Sequence, residues 1–419
     1  MRRLSLLLVL ALAPLSLAAA EREVAPGGLA AALETAQDGD VLRLLPGTYA
    51  GPVTIDRSLT LDGGGKAHID AGGEGSVITV TATDVTIRGL TLTGSGDSHD
   101  GIDSGVQLTK TAHGARVEDN TLTGNLYGID IHGARDSIVT GNIIEGRQDK
   151  AMNRRGNGIY VWNAPGSKVV GNKVRWGRDG IFVNSSKKNT FSENEFRELR
   201  FAVHYMYADD SEVSRNLSIG NHLGYAVMFS TRVRVTDNVS IDDRDHGVML
   251  NYANSSEITG NLVMGGPEKC AFLYNSHKNE FTGNRFERCD IGIHFTAGSD
   301  RNRIVSNAFI GNRTQVKYVS TTWDEWSEDG RGNYWSDFAA YDLDGNDIAD
   351  VPYRPNDSMD HVLWTQPAAK LLLGSPAVQL VRWSQSAFPA LLPGGVIDSH
   401  PMMQPVEIPV PDAAERGAS

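Results

Sequence analysis

The stretch FSENEFRELRFAVHYMYADDSEVSRNLS, residues 191 to 218, contains one full period of the chain. Phe191 stands three residues before Asn194, Val213 stands three before Asn216, and the two asparagines are 22 residues apart. Between them AVHY (202–205) has the two-residue alternation of a half-buried strand, not the 3.6-residue period of a helix. Outward from here the asparagine recurs at 120, 142, 172, 194, 216, 238, 261, 284 and 307, with gaps of 22, 30, 22, 22, 22, 23, 23 and 23 residues. Three residues before each stands Val117, Val139, Val169, Phe191, Val213, Val235, Ile258, Phe281 or Ile304, none of them polar. The strand-like run also returns, as GIDI, GIYV, GIFV, AVHY, AVMF, GVML, AFLY and GIHF. A coil of about 22 residues cannot bury its inward face alone and must stack on its neighbours. The period predicts an all-β fold, a right-handed parallel β-helix with two or three short strands per coil. Asn suits the corners because it tolerates positive φ and its amide bonds to the coils above and below. A leucine-rich horseshoe lacks its Leu-x-x-Leu-x-Leu frame here, and a propeller blade needs about twice the length.

The ends differ from the middle. Residues 1–20, MRRLSLLLVLALAPLSLAAA, combine Arg2 and Arg3, an apolar run and an Ala-x-Ala close, which predicts a Sec-type signal peptide cut near Ala20 and a periplasmic chain. Formal charge is −12, or −14 once those two arginines leave, which argues against a nucleic-acid partner. No other segment offers the roughly 20 apolar residues of a membrane span, so membrane contact is expected only through a partner. The solenoid is expected over 21–320, with LAAALETA (29–36) as a helix over its open end. An aromatic cap with an Asp-rich loop is expected over 321–360. Residues 361–419 read as short helical pieces and an extended or disordered proline-punctuated tail for partner docking, with Trp383 and Phe388 among its apolar contacts. The 30-residue gap holds an insertion, GRQDKAMNRRGNG.

Stacking turns strand positions into columns. The outward column is expected to run Asp130, Tyr160, Phe182, His204, Met228, Met249, Leu273, His294, Lys317, beside a second of His132, Trp162, Asn184, Met206, Ser230, Asn251. His204, Met206, Met228 and Met249 then share three adjacent rungs, and thioethers with imidazole suit Cu(I). The same residues with Tyr160, Trp162 and Phe182 equally describe an apolar patch that a partner or a returning segment covers. His400, Met402 and Met403 in DSHPMMQP form a second Met and His group, for passing a metal along or for packing. Asp342, Asp344, Asp347 and Asp350 surround Gly345 in YDLDGNDIAD, as a calcium loop without the EF-hand frame or as a plain acidic turn. Cys270 and Cys289 begin strands of consecutive coils, where burial or one disulfide is favoured over a metal thiolate.

An enzyme is the rival class. YGIDIHGARD resembles the Asp-Pro-His signature of mannuronan epimerases, with Asp130, His132 and Arg135 as the groups of a polysaccharide lyase or epimerase. Ile131 replaces the proline, the net charge disfavours a polyanionic substrate, and no ladder of paired carboxylates is present. The chain is therefore expected not to be an enzyme.

The repeats together with GRGNYWSDF, DLDGNDIADVPYRPND and SPAVQLVRWSQSAFPALLPGGVIDSHPMMQP resemble the NosD family. The segment 320–408 carries the specific part of that resemblance. It implies a non-enzymatic role in copper supply to the sulfide-bridged copper centre of nitrous oxide reductase. The implied partners are the membrane subunit of an ABC transporter, its cytoplasmic ATPase, a lipoprotein copper chaperone and the apo-reductase. No G-x-x-x-x-G-K-[ST] loop occurs, so ATP hydrolysis falls to a partner. A purely mechanical adaptor that never touches metal is the remaining alternative. The resemblance does not identify copper ligands; those named above come from the ladder and the tail.

Overall fold

A computed structural model describes residues 19 to 410 apart from Pro267, Ala297 and residues 319–322, 357–359, 361, 363–365, 373 and 388–394. Residues 1–18, which hold nearly all of the expected signal peptide, and Phe388 lie outside the described residues. The backbone is a parallel β-solenoid: every pairing between its stacked strands is parallel and joins a coil to the next. A typical coil has three strands, such as Asp179–Asn184, Thr190–Ser192 and Glu195–Arg197. From Ser104–Leu108 onward the longest strand of each coil contributes to one 12-stranded sheet, whose outer face carries most of the residues singled out above.

Inward alternates make the core. Ile129, Ile131, Ile159, Val161, Ile181, Val183, Tyr205, Leu250 and Ile293 are all 0% exposed. Cores of this kind are stabilised by about 25 cal/mol per Å² of apolar surface removed from water. At the amino-terminal end the short helix Leu29–Thr35 buries Leu29 and Leu33 in the same cluster.

The asparagine corner works differently from its sequence expectation. None of the nine asparagines has positive φ; the residue before each does, as Asp119, Glu193, Arg215, Asp237 and Ser306 (φ 53 to 59°) or as Gly141, Gly171, Gly260 and Gly283. The turn strain therefore sits one position upstream, and Asn is selected for its amide. From Asn142 onward each Oδ1 accepts the backbone N–H and the Nδ2 of the asparagine one coil earlier, as Asn238 does from Asn216 at 3.0 and 2.9 Å, while Asn120 Oδ1 accepts the Leu90 N–H. The ladder has a tenth rung, Asn333, 26 residues past Asn307.

Beyond Asn333 the ladder ends on residues 395–403 of the tail, which are docked in extended form. Asp398, 0% exposed, accepts the Asn333 N–H and Trp335 Nε1–H, both at 2.7 Å. The strand Gly395–Ile397 pairs in parallel with Trp323–Glu325, and Met402 bridges Ile348 and is buried. The helix Pro376–Ala387 instead leaves Leu380 and Trp383 64% and 65% exposed. No helix among the described residues is long and apolar enough to cross a membrane.

Candidate functional site

Strand register fixes the outer face of the long sheet. One column runs Asp130, Tyr160, Phe182, His204, Ala226, Met249, Phe272, His294, Lys317. The next runs His132, Trp162, Asn184, Met206, Met228, Asn251, Tyr274. Three expected positions are corrected. Met228 belongs to the second column, directly beside Met206, because the position 22 residues after His204 is Ala226. Leu273 faces inward, 0% exposed, and Phe272 takes its place, since a one-residue slip reverses the face of a strand. Ser230, also expected outward, is buried at a corner, where its hydroxyl accepts the Ala208 N–H.

His204, Met206, Met228 and Met249 still occupy three adjacent rungs of one face. His204 is held from behind: its Nδ1 lies 3.2 Å from Asp179 Oδ2, and Arg200 grips the same carboxylate through two bonds of 2.7 and 2.6 Å. Burial opposes ionisation of Asp179, but hydrogen bonds from His204 and Arg200 outweigh it and hold the carboxyl below its usual range. The imidazole packs between Phe182 (4.8 Å) and Phe201 (4.7 Å), and its Nε2 is buried with no hydrogen-bond partner. An imidazole backed on one nitrogen by a carboxylate, with the other lone pair free, has the arrangement of a metal-ligating histidine and its supporting shell. Met206 and Met228, both half-buried, stand side by side about 4.8 Å apart in strand spacing. The donor set of one imidazole and thioethers fits Cu(I).

Four histidines have a buried ring nitrogen without a partner among the described residues: His132, His204, His246 and His294. All four lie on this face. Towards the carboxy-terminal end it becomes cationic, with Lys269 stacked on Phe272 at 5.0 Å and Lys317 next to His294. His294 is pushed down to about 4 by burial and then by Lys317, Lys269 and His246. Because its folded pKa lies below the ordinary 6.5, it stabilises the fold above about pH 6.5 and that contribution fades as pH falls towards 4. Lys317→Met is expected to raise the His294 pKa towards its ordinary value, read from imidazole NMR shifts against pH; an unchanged titration would refute the electrostatic cause.

At the opposite end Asp130 is fully buried, and burial pushes its carboxyl up to about 7. Tyr160, Trp162 and Phe182 are half-buried and joined by stacking, Tyr160 to Phe182 at 5.4 Å and Trp162 to His132 at 4.3 Å. Arg135 is exposed at a turn, where its backbone N–H meets His113 Nδ1.

The tail group lies elsewhere. His400 Nδ1 contacts Ser327 Oγ at 3.1 Å, Met402 is buried and Met403 half-buried at the capped end. That end lies five coils beyond His204, about 24 Å along the stack, so the two Met and His groups are not brought together. In the Asp-rich loop the carboxylates bond to their own backbone: Asp342 accepts the N–H groups of Gly345 and Asp347, Asp344 that of Asn346, and Asp350 that of Leu343. Asp347 is exposed. No group of three or more His, Cys, Asp or Glu among the described residues is arranged to hold a metal ion. Cys270 and Cys289 form a disulfide with Cα atoms 5.7 Å apart. Sequence reasoning missed Asp179, Arg200 and Phe201, the support of His204. Their signal was present, since Asp179 and Phe201 open their strands and pair directly.

The solved structures similar to this chain include a mannuronic acid specific family 6 polysaccharide lyase from human gut microbiota. It aligns with a TM-score of 0.55 at 13% identity, over 74% of this chain and 87% of that one, a likeness of fold alone. The family model described as "Periplasmic copper-binding protein (NosD)" matches residues 143–340. A probable ABC transporter binding protein NosD of Pseudomonas aeruginosa is 41% identical over 94% of this chain and 95% of its own length. Its counterpart of the same name in Stutzerimonas stutzeri is 38% identical over 86% of each. Similarity of that strength along almost the whole solenoid and its cap shows that the chain belongs to the NosD family.

Proposed function

We propose that this chain is the periplasmic scaffold and copper-transfer component of an ABC-transporter-linked machinery that matures the copper sulfide centre of nitrous oxide reductase. The observation that carries the copper part is His204, with Nδ1 engaged by Asp179 and Nε2 unpartnered beside Met206 and Met228. Copper is cargo here, taken as Cu(I) from a lipoprotein chaperone and passed to the apo-reductase, so a weak, soft, open site serves better than a closed cage. Met249, one coil beyond Met228, extends the soft strip along the sheet. The half-buried aromatic patch of Tyr160, Trp162 and Phe182 continues it as a docking surface. His400, Met402 and Met403 offer a second soft group at the capped end.

The helix Pro376–Ala387 supports the transporter part. Leu380 and Trp383 are displayed to solvent, an arrangement suited to a membrane subunit whose ATPase supplies the energy. The names of the curated relatives are consistent with that assignment. The relatives carry no enzyme name, and the lyase likeness is one of fold.

Cu(I) titration against a competing chelator tests the reading. The mature chain should take up Cu(I), and His204→Ala or the pair Met206→Leu with Met228→Leu should weaken it at least tenfold. Replacing His400, Met402 and Met403 reports separately on the tail. Binding by neither group would leave only the metal-free adaptor.

A further inference from the structure

The amino-terminal end of the same face holds a second pair of unpartnered groups that the copper-transfer reading does not use. Asp130 is 0% exposed, yet its Oδ1 has no hydrogen-bond partner. Its Oδ2 has only a long contact of 3.4 Å from Gln107 Nε2. No lysine or arginine among the described residues forms an ion pair with it; its one ionic contact is with His132, with Nδ1 3.9 Å from Oδ2. That separation is too long for a hydrogen bond, and His132 Nδ1 is itself buried without a partner. The imidazole is not free to turn away at no cost, because it stacks on Trp162 at 4.3 Å with planes 26° apart.

A buried carboxylate without compensation is expensive, and native proteins resolve it with a proton, a partner or a cation. Two ligand atoms bound to one small ion at about 2.0 to 2.2 Å are separated by up to roughly 4 Å, so one ion held between the Asp130 carboxylate and His132 Nδ1 compensates the buried charge and gives Nδ1 a partner. Carboxylate, imidazole and the nearby Gln107 amide form a harder set than the thioethers three coils away. They select a borderline divalent ion over Cu(I). From these distances we infer that Asp130 and His132 form a binding site for a borderline divalent transition-metal cation, separate from the His204 group and independent of the copper-transfer reading.

Zn²⁺ alone is the probe, since it is redox-silent and does not report on Cu(I) chemistry. Calorimetry and imidazole NMR on the mature chain should show one equivalent bound, with His132 among the shifted resonances. Asp130→Asn and His132→Gln should each weaken binding at least tenfold, while His204→Ala leaves it unchanged. Asp130→Asn removes a buried charge and is expected to fold, which a thermal melt checks; His132→Gln, on a half-exposed side chain, provides the second variant. Absence of Zn²⁺ binding, or binding untouched by both variants, overturns the site. Failure here with Cu(I) binding intact at His204 refutes this inference alone, and the converse refutes the copper reading alone.

Discussion

Asn238→Ala is expected to cost about 4 to 6 kcal/mol of folding stability, more than any truncation of similar size on the outer faces. Three buried groups lose their partners together: the Asn216 N–H, one Asn216 Nδ2 hydrogen and the Val213 carbonyl. Each buried group left unsatisfied costs about 1 to 3 kcal/mol. Whole domains are stable by only about 5 to 15 kcal/mol, and in a solenoid the loss falls on one interface between coils. Breaking the ladder at its middle rung should therefore divide the cooperative unit, visible in urea unfolding followed by far-UV circular dichroism as a lower midpoint and a broader transition. Asp237→Gly is the contrasting variant. Asp237 already has φ 54°, a conformation that glycine adopts freely, so a change within about 1 kcal/mol is expected. Equal losses from the two variants would mean that the corner is governed by its backbone conformation and not by the amide.

That contrast also marks how much was legible in advance. The period, the inward alternates and the asparagine positions are local repetitions, and repetition fixes a solenoid because each coil meets only its neighbours. Column assignment was less secure. His204 and Met228 both sit in strands of the form Ala-Val-x-x, AVHY and AVMF, yet those letters begin at 202 and 226, an offset of 24 against a true repeat of 22. Aligning the letters placed Met228 one column away from where the backbone puts it. The support of His204 by Asp179 and Arg200 could not be read from spacing alone, because it joins a strand start in one coil to the end of a turn in the next. The docking of the tail's extended residues 395–403 was not legible for a related reason. Its partners, Asn333 and Trp335, lie more than 60 residues upstream, where no period connects them to Asp398. Asn333 escaped notice as the tenth rung because its gap is 26, outside the run of 22 and 23.

Gly332→Ala should detach that tail although it removes no interaction of its own. A Cβ at this position would lie on the Asp398 carboxylate, and neither group has room to retreat while Asn333 and Trp335 hold the oxygen at 2.7 Å. Losing two buried hydrogen bonds to a carboxylate at about 1.5 to 3 kcal/mol each gives roughly 3 to 6 kcal/mol against the docked tail. That corresponds to an open fraction raised by about two to four orders of magnitude. Hydrogen exchange should quicken at 395–403 and at its paired strand Trp323–Glu325, and emission from the buried Trp326 and Trp335 should shift to the red. Gly374→Ala, with no neighbour near its would-be Cβ, should do neither. The two proposed functional regions then separate. Cu(I) uptake at His204, five coils from the cap, is expected to persist in Gly332→Ala. Affinity for the membrane subunit should fall, because the helix Pro376–Ala387 precedes the tail in sequence and a released tail no longer fixes the chain that follows it. Unaltered exchange at 395–403 would show that the tail is held by contacts other than the last rung of the ladder.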